Sequence, residues 1–200
     1  TQIAGGQYFA CALTTSGGVK CWGDNNDGQL GDGSNSDRPI PADVKGVGGV
    51  GLLSGIAAIS AGGSTFVRSN HSCALTTSGG VKCWGGNQDG QLGDNSTSDS
   101  SAPVDVVGLA TGVVAISVGS SHTCALTVGG GMKCWGRNTE GQVGDGSALQ
   151  RKTPVDVSGL TSGVSAISAG AYETCALTTA GGMKCWGRND NGQIGDGTLT

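Results

Sequence analysis

One phrase, CALTTSGGVKCWGDNNDGQLGDG, fills residues 11–33, and close copies of it begin at Cys73, Cys124 and Cys175. A chain that spells one unit four times is expected to stack small units, each covering its neighbour's face, rather than wrap a single global core. Cys73 to Cys124 and Cys124 to Cys175 both span 51 residues, whereas Cys11 to Cys73 spans 62. The excess divides into five residues in the connection 31–60 and six in AGGSTFVRSNHSC, where the third unit has VGSSHTC. Insertions confined to connections mark loops outside a fixed framework. A period near 50 belongs to propeller-type arrays. The units fall at approximately 1–55, 56–112, 113–163 and 164–200.

Each unit reads as short strands. CALT and VKCW flank TSGG, the composition of a hairpin turn. Pairing Leu13 with Val19 sets Cys11 opposite Cys21 on one face and leaves Ala12, Lys20 and Trp22 on the other. The later copies set Leu75 against Val81, Leu126 against Met132, and Leu177 against Met183. AIS supplies a third strand. PVDV at 103–106 and 154–157, with IPADV in the first unit, supplies a fourth.

All eight cysteines form four pairs ten positions apart: Cys11 with Cys21, Cys73 with Cys83, Cys124 with Cys134, and Cys175 with Cys185. Neither CxxC nor a Cys/His cluster is present to suggest zinc or redox chemistry. Directly opposed cross-strand positions suit disulfides. Each would close a short loop, worth about 2.5–3 kcal/mol on the chain-entropy model. Four disulfides imply an oxidising compartment, extracellular or at the cell surface. Buried free thiols are the alternative, which a cytosolic origin would favour. The predicted fold class is all-β: a propeller-type repeat array of four units, each a small antiparallel sheet with a disulfide-bridged hairpin.

Composition narrows the partners. Gly accounts for 40 of 200 residues, but with only four prolines and no three-residue period the chain is not collagen-like. The formal charge of −4 and the absence of a basic cluster argue against a nucleic-acid partner. No run of 18 apolar residues is present, so no membrane insertion is expected. No leader is visible before Thr1, which reads as a mature product or a piece of a longer protein.

HTCALTVGGGMKCWGRNTEGQVGDGS and its copies resemble the repeat of the regulator of chromosome condensation family, in particular cysteine-bearing extracellular bacterial versions. The resemblance covers essentially the whole chain. It rests on G-x-x-H-[ST]-x-A-L, on WG-x-N-x-x-GQ-[LVI]-GDG and on the P-V-x-V strand. It implies a seven-bladed propeller, while family members differ widely in function, so fold alone selects none. The motif histidine is present as His71 and His122 but is Phe9 and Glu173 in the other units, so a catalytic role there is not expected. Four hairpins are matched by only three P-V-type strands, and the sequence reaches GDGTLT before a fourth. The ring is therefore expected to be incomplete in this chain alone, completed by a copy of itself or a continuation of the same protein.

The remaining motifs carry little chemistry. DNNDG at 24–28 has calcium-like composition but neither the order nor the bidentate Glu of an EF-hand, so no cofactor is expected beyond adventitious calcium. Tight turns account for it, and for Asp32, Asp94, Asp145 and Asp196. No nucleophile motif accompanies the histidines, and an enzyme is not expected. Trp22, Trp84, Trp135 and Trp186 read as blade packing. Sequons at Asn70 and Asn95 are candidate N-glycosylation sites. The inserts nominate Ser64, Thr65, Phe66, Val67 and Arg68, with Val47, Val50 and Leu52, as candidate contact loops. The expected function is a non-enzymatic extracellular structural or assembly module whose last blade is completed by a neighbouring chain, in a ring or filament. The alternative is a recognition module binding a protein or glycan through propeller-face loops.

Overall fold

A computed structural model, which describes residues 1–64 and 69–199, forms four antiparallel sheets. The first holds β1 (Gln2–Gly5), β2 (Phe9–Leu13), β3 (Val19–Gly23) and β4 (Arg38–Asp43), in that order. The second holds β5 (Ile56–Gly62), β6 (His71–Thr76), β7 (Val81–Gly85) and β8 (Ser100–Asp105). The third holds β9 (Val113–Val118), β10 (His122–Thr127), β11 (Met132–Gly136) and β12 (Arg151–Asp156). The fourth has three strands among the described residues: β13 (Val164–Ala169), β14 (Glu173–Thr178) and β15 (Met183–Gly187).

The expected hairpin register is present in every sheet, with Cys11 opposite Cys21, Cys73 opposite Cys83, Cys124 opposite Cys134, and Cys175 opposite Cys185. Each pair is a disulfide with Cα atoms 4.1 Å apart, as close as the narrow pairs of an antiparallel ladder. The P-V strands start earlier than their sequence signature, at Ser100 and Arg151. They lie at the outer edge of each sheet, where Pro103 and Pro154 need no ladder N–H. β1 carries no AIS signature, yet it pairs with β2 as β5 pairs with β6.

A bulge separates Cys83 from Gly85 in the β7–β8 pairing, and the same shift recurs in the first and third sheets. Gly85 sits there at φ +108°, and a Cβ would come 2.4 Å from the Asn70 carbonyl oxygen. That geometry explains why each Trp is followed by Gly.

Packing between sheets is directional. Cys73, Leu75, Val81 and Cys83 of the second sheet are buried together with Ala125 and Trp135 of the third. Cys11, Leu13, Val19 and Cys21 are covered in the same way by Ala74 and Trp84, and Cys124, Leu126, Met132 and Cys134 by Ala176 and Trp186. The disulfide face of each blade therefore meets the Ala/Trp face of the next. Apolar burial of this kind is worth about 25 cal/mol per Å2 and is the main source of cohesion in a stacked array.

Candidate functional site

Each interface carries a polar seam within its apolar layer. The indole of Trp84 donates to the Gln29 carbonyl at 2.9 Å, Trp135 to Gln91 at 2.8 Å, and Trp186 to Gln142 at 3.0 Å. The hydroxyls of Ser72, Thr123 and Thr174 donate to the same three carbonyls. His71 donates from Nδ1 to the Ser69 carbonyl, and its Nε2 stands 2.9 Å from Thr123 Oγ1. His122 Nε2 stands 2.9 Å from Thr174 Oγ1. Burial pushes the His71 pKa down to about 4, against a smaller upward pull from the Ser69 hydrogen bond. Burial, with the nearby charge of His71, pushes His122 down to about 3. Both rings are thus neutral, fully buried links between blades. Phe9 fills the same position with an apolar ring in the first blade. Glu173 fills it in the fourth, where its carboxylate accepts from the Tyr172 N–H.

An asparagine organises each turn. Asn138 is buried. It accepts from Val143 N–H through Oδ1 and donates through Nδ2 to Asp145, to the Ser147 carbonyl and to the Leu149 carbonyl. Asn25, Asn87 and Asn189 repeat the arrangement. Asp24 accepts from Gln29 and Asp27 from Asn70, so the carboxylates of DNNDG are spent on amides. Burial raises the Asp32 and Asp145 pKa values, but hydrogen bonds from Ser34 and Ser147 and pairing with Arg38 and Arg151 outweigh it and leave both lowered. No cluster of three or more metal-ligating side chains occurs among the described residues.

The two sequons differ. Asn70 is buried, and its Nδ2 donates to Asp27 Oδ2 at 3.1 Å. The side-chain nitrogen that would carry a glycan at Asn70 is thus engaged within the fold. Asn95 is exposed at φ +69°, in a position where Gly33, Gly146 and Gly197 stand in the other units. Of the candidate contact residues, Val50 is 80% and Leu52 59% exposed, and Val47 is also exposed. All three lie on the insert containing a short 3-10 turn, Val47–Gly49. Ser64 is half-buried and bonded, while Thr65, Phe66, Val67 and Arg68 lie outside the described residues.

The fourth blade differs from the third in burial at matching register positions. Met132 is 0% exposed, but Met183 at the same register position is 70% exposed; Leu126 is 6% and Leu177 43% exposed. A cavity of about 700 Å3 opens beside β15, lined by Gly141, Gly144, Val157, Met183, Trp186 and Ile194 among others. Lys20, Lys82 and Lys133 each pair with an aspartate of the adjoining outer strand: Asp43, Asp105 and Asp156. Lys184 has no such strand beside it among the described residues.

Two profiles of the Regulator of chromosome condensation (RCC1) repeat match the chain, one at residues 16–75, 78–126 and 130–177, the other at 1–29, 113–142 and 164–193. The chain belongs to the RCC1 repeat family. The longer RCC1 matches run from one hairpin turn into the first hairpin strand of the next sheet, so the sequence repeat is staggered against the blade. The probable E3 ubiquitin-protein ligase HERC4 of Homo sapiens is 34% identical over 203 residues, which cover 100% of this chain and 18% of HERC4. The crystal structure of human WBSCR16 superposes with a TM-score of 0.82 at 26% identity, over 100% of this chain and 50% of that one. Yeast RCC1 (Prp20), solved with Kap60 bound, gives 0.78 at 22% identity, over 98% and 45%. The chain thus spans about half the length of these solved RCC1-type structures and under a fifth of HERC4.

Proposed function

We propose that this chain is a non-enzymatic protein-interaction module: an RCC1 array, working in an oxidising compartment outside the cytosol, whose last blade is completed by a copy of itself or by a continuation of the same protein. The observation that carries this reading is the exposure of Met183, beside the complete burial of Met132 in the same hairpin register. Exposed apolar surface of this kind, rimmed by polar groups, marks interaction sites.

The opposite end of the array offers the complement. Trp22 and Ala12 belong to the face that the later blades use to cover a predecessor, and the Trp22 indole has no glutamine carbonyl to meet among the described residues. No indole meets the Gln193 carbonyl among the described residues. A second copy docking Trp22 toward Gln193 would repeat an interface the chain already builds three times within itself. Such head-to-tail contacts close into rings or extend into filaments. Yeast RCC1 (Prp20), solved with Kap60 bound, shares the fold, and its partner is not carried over to this chain. The ligase activity named for HERC4 belongs to a protein of which this chain matches 18%, and nothing of it is carried over.

Light scattering across a concentration series tests the reading. Species at multiples of 19.5 kDa are expected, dissociating on Met183→Asp or Trp22→Ser. A 19.5 kDa particle at every concentration would overturn head-to-tail assembly. Thiol trapping of the protein from its native source tests the compartment: four disulfides are expected, and free thiols would sink it. A second reading, recognition through the insert 47–53, is favoured by Val50 and Leu52 standing exposed at its tip.

A further inference from the structure

We propose that the hairpin-turn face of the array is a self-association surface, on which the insert of one chain seats in a recess in the second blade of another copy. The proposal does not depend on how the last blade is completed.

The strand order places the hairpin turns 14–18, 77–80, 128–131 and 179–182 on the same face as the connections 44–55, 106–112 and 157–163, which lead from each outer strand to the next blade. The loops that follow each Trp, and those that enter β6, β10 and β14, lie on the opposite face. Charge divides in the same way. None of the 15 aspartates and glutamates falls in a turn-face segment, so this face carries no carboxylate to desolvate. Asp43, Asp105 and Asp156 come nearest, at the ends of the outer strands, and each is paired with a lysine. Every other acidic residue belongs to the opposite face. The turn-face segments hold one charge, Lys45, which lies half-buried against Gly33. Among their exposed residues are Val47, Val50 and Leu52 on the insert, with Val107 and Val128 on the next two blades.

This chemistry narrows the partner. The turn-face segments contain no aromatic ring, amide or carboxylate with which to stack on or hydrogen-bond a sugar. They also lack the Trp, Tyr and clustered basic residues that anchor proteins at a bilayer surface. An apolar protein contact fits, provided the partner is equally free of charge. A second copy meets that condition. Two chains of charge −4, set turn face to turn face, keep their acidic loops on the far sides.

The shapes are complementary too. The insert is closed by a Gly46 N–H to Gly51 carbonyl bond of 3.1 Å and by a Lys45–Leu52 bridge, and Val50 is 80% exposed. Its 3-10 turn, Val47–Gly49, lies beside β8, so the second blade props it. In that blade a recess of about 350 Å3 opens among Thr76, Ser78, Val81, Val106, Leu109 and Ala110. The hydroxyls of Thr76 and Ser78 bond each other at 3.0 Å, so an apolar side chain entering leaves neither unpaired. The first blade's version is smaller, about 240 Å3, and Leu52 and Leu53 of the insert help to line it. With knob and recess on one face, a two-fold contact uses the pair twice: Val50 of each copy enters the recess of the other.

Sedimentation velocity of the full chain carrying Met183→Asp tests this, because that substitution blocks the head-to-tail contact and lies outside the turn face. A dimer of twice 19.5 kDa is expected to persist. Val50→Asp or Ala110→Lys, added singly, should weaken it about tenfold or more by leaving a charge unpaired in an apolar contact. Combining the two should restore it, since position 50 of each copy meets position 110 of the other. Both residues are exposed, so neither substitution disturbs the core. Added salt should tighten the dimer slightly by screening the repulsion between like-charged chains. A dimer indifferent to both single substitutions, or one that salt dissolves, overturns the proposal. A monomer at every concentration overturns it as well; association of the unsubstituted chain would then belong to the head-to-tail contact alone. Binding to phosphatidylcholine vesicles that Val50→Asp abolishes, with no dimer in solution, would assign the face to a bilayer instead.

Discussion

The third and fourth blades carry nearly the same hairpin, TCALT…GMKCWGRN, yet one is sealed and the other is open. Cys124, Leu126, Met132 and Cys134 are buried under Ala176 and Trp186. Cys175 and Cys185 are half-exposed, and Leu177 and Met183 are exposed. Identical local sequence with opposite burial means that the hairpin does not decide its own environment; the neighbouring blade does. In a stacked array the terminal faces are where apolar surface remains for a partner.

The largest expected effect separates sealed from open tryptophans. Trp135→Ala removes a fully buried ring and should cost about 3–5 kcal/mol in urea unfolding. Trp22→Ala, with one side uncovered, should cost well under half as much. Equal costs would break the comparison, because they would mean that Trp22 is sealed in solution. The disulfides come next. Replacing Cys124 and Cys134 by serine should cost about 2–4 kcal/mol. Mild reductant, followed by alkylation and mass analysis, should open Cys175–Cys185 before the three buried bonds.

Acid titration sharpens the picture of the seams. Folded His71 and His122 have pKa values below the unfolded 6.5, so the unfolded chain binds more protons as pH falls below 6.5. Stability should therefore be full above pH 6.5 and drop toward pH 4, by on the order of 3 kcal/mol per histidine. Asp32 and Asp145, held low, add a further loss once pH falls through the carboxylate range. His122→Phe, copying Phe9, should flatten the histidine part of the urea-midpoint curve; an unchanged slope would remove His122 as its source. The smallest difference is expected where blades are alike. Asn138→Ala and Asn189→Ala break the same turn network and should each cost about 1–3 kcal/mol. A large gap between them would show that turn stability also depends on the neighbour.

Much of the fold was legible because it is local and repeated. The hairpin register follows from Leu13 facing Val19, and the disulfides follow from the register. β1 was missed because its QIAG lacks the AIS signature and gains its identity by pairing with β2. The role of His71 was not legible, since its partner Thr123 is 52 positions away in the next blade. Asn70 read as a glycan acceptor because a sequon says nothing of Asp27, 43 positions earlier, which holds its amide.

Amide hydrogen exchange of β11 and β15 in one sample, dilute and then concentrated, tests the central claim most directly. The account predicts that β11 is protected at every concentration, whereas β15 exchanges rapidly when dilute and becomes protected only as the chain associates. Protection of β15 equal to that of β11 in dilute solution would contradict it, because the fourth blade would then be closed without a partner.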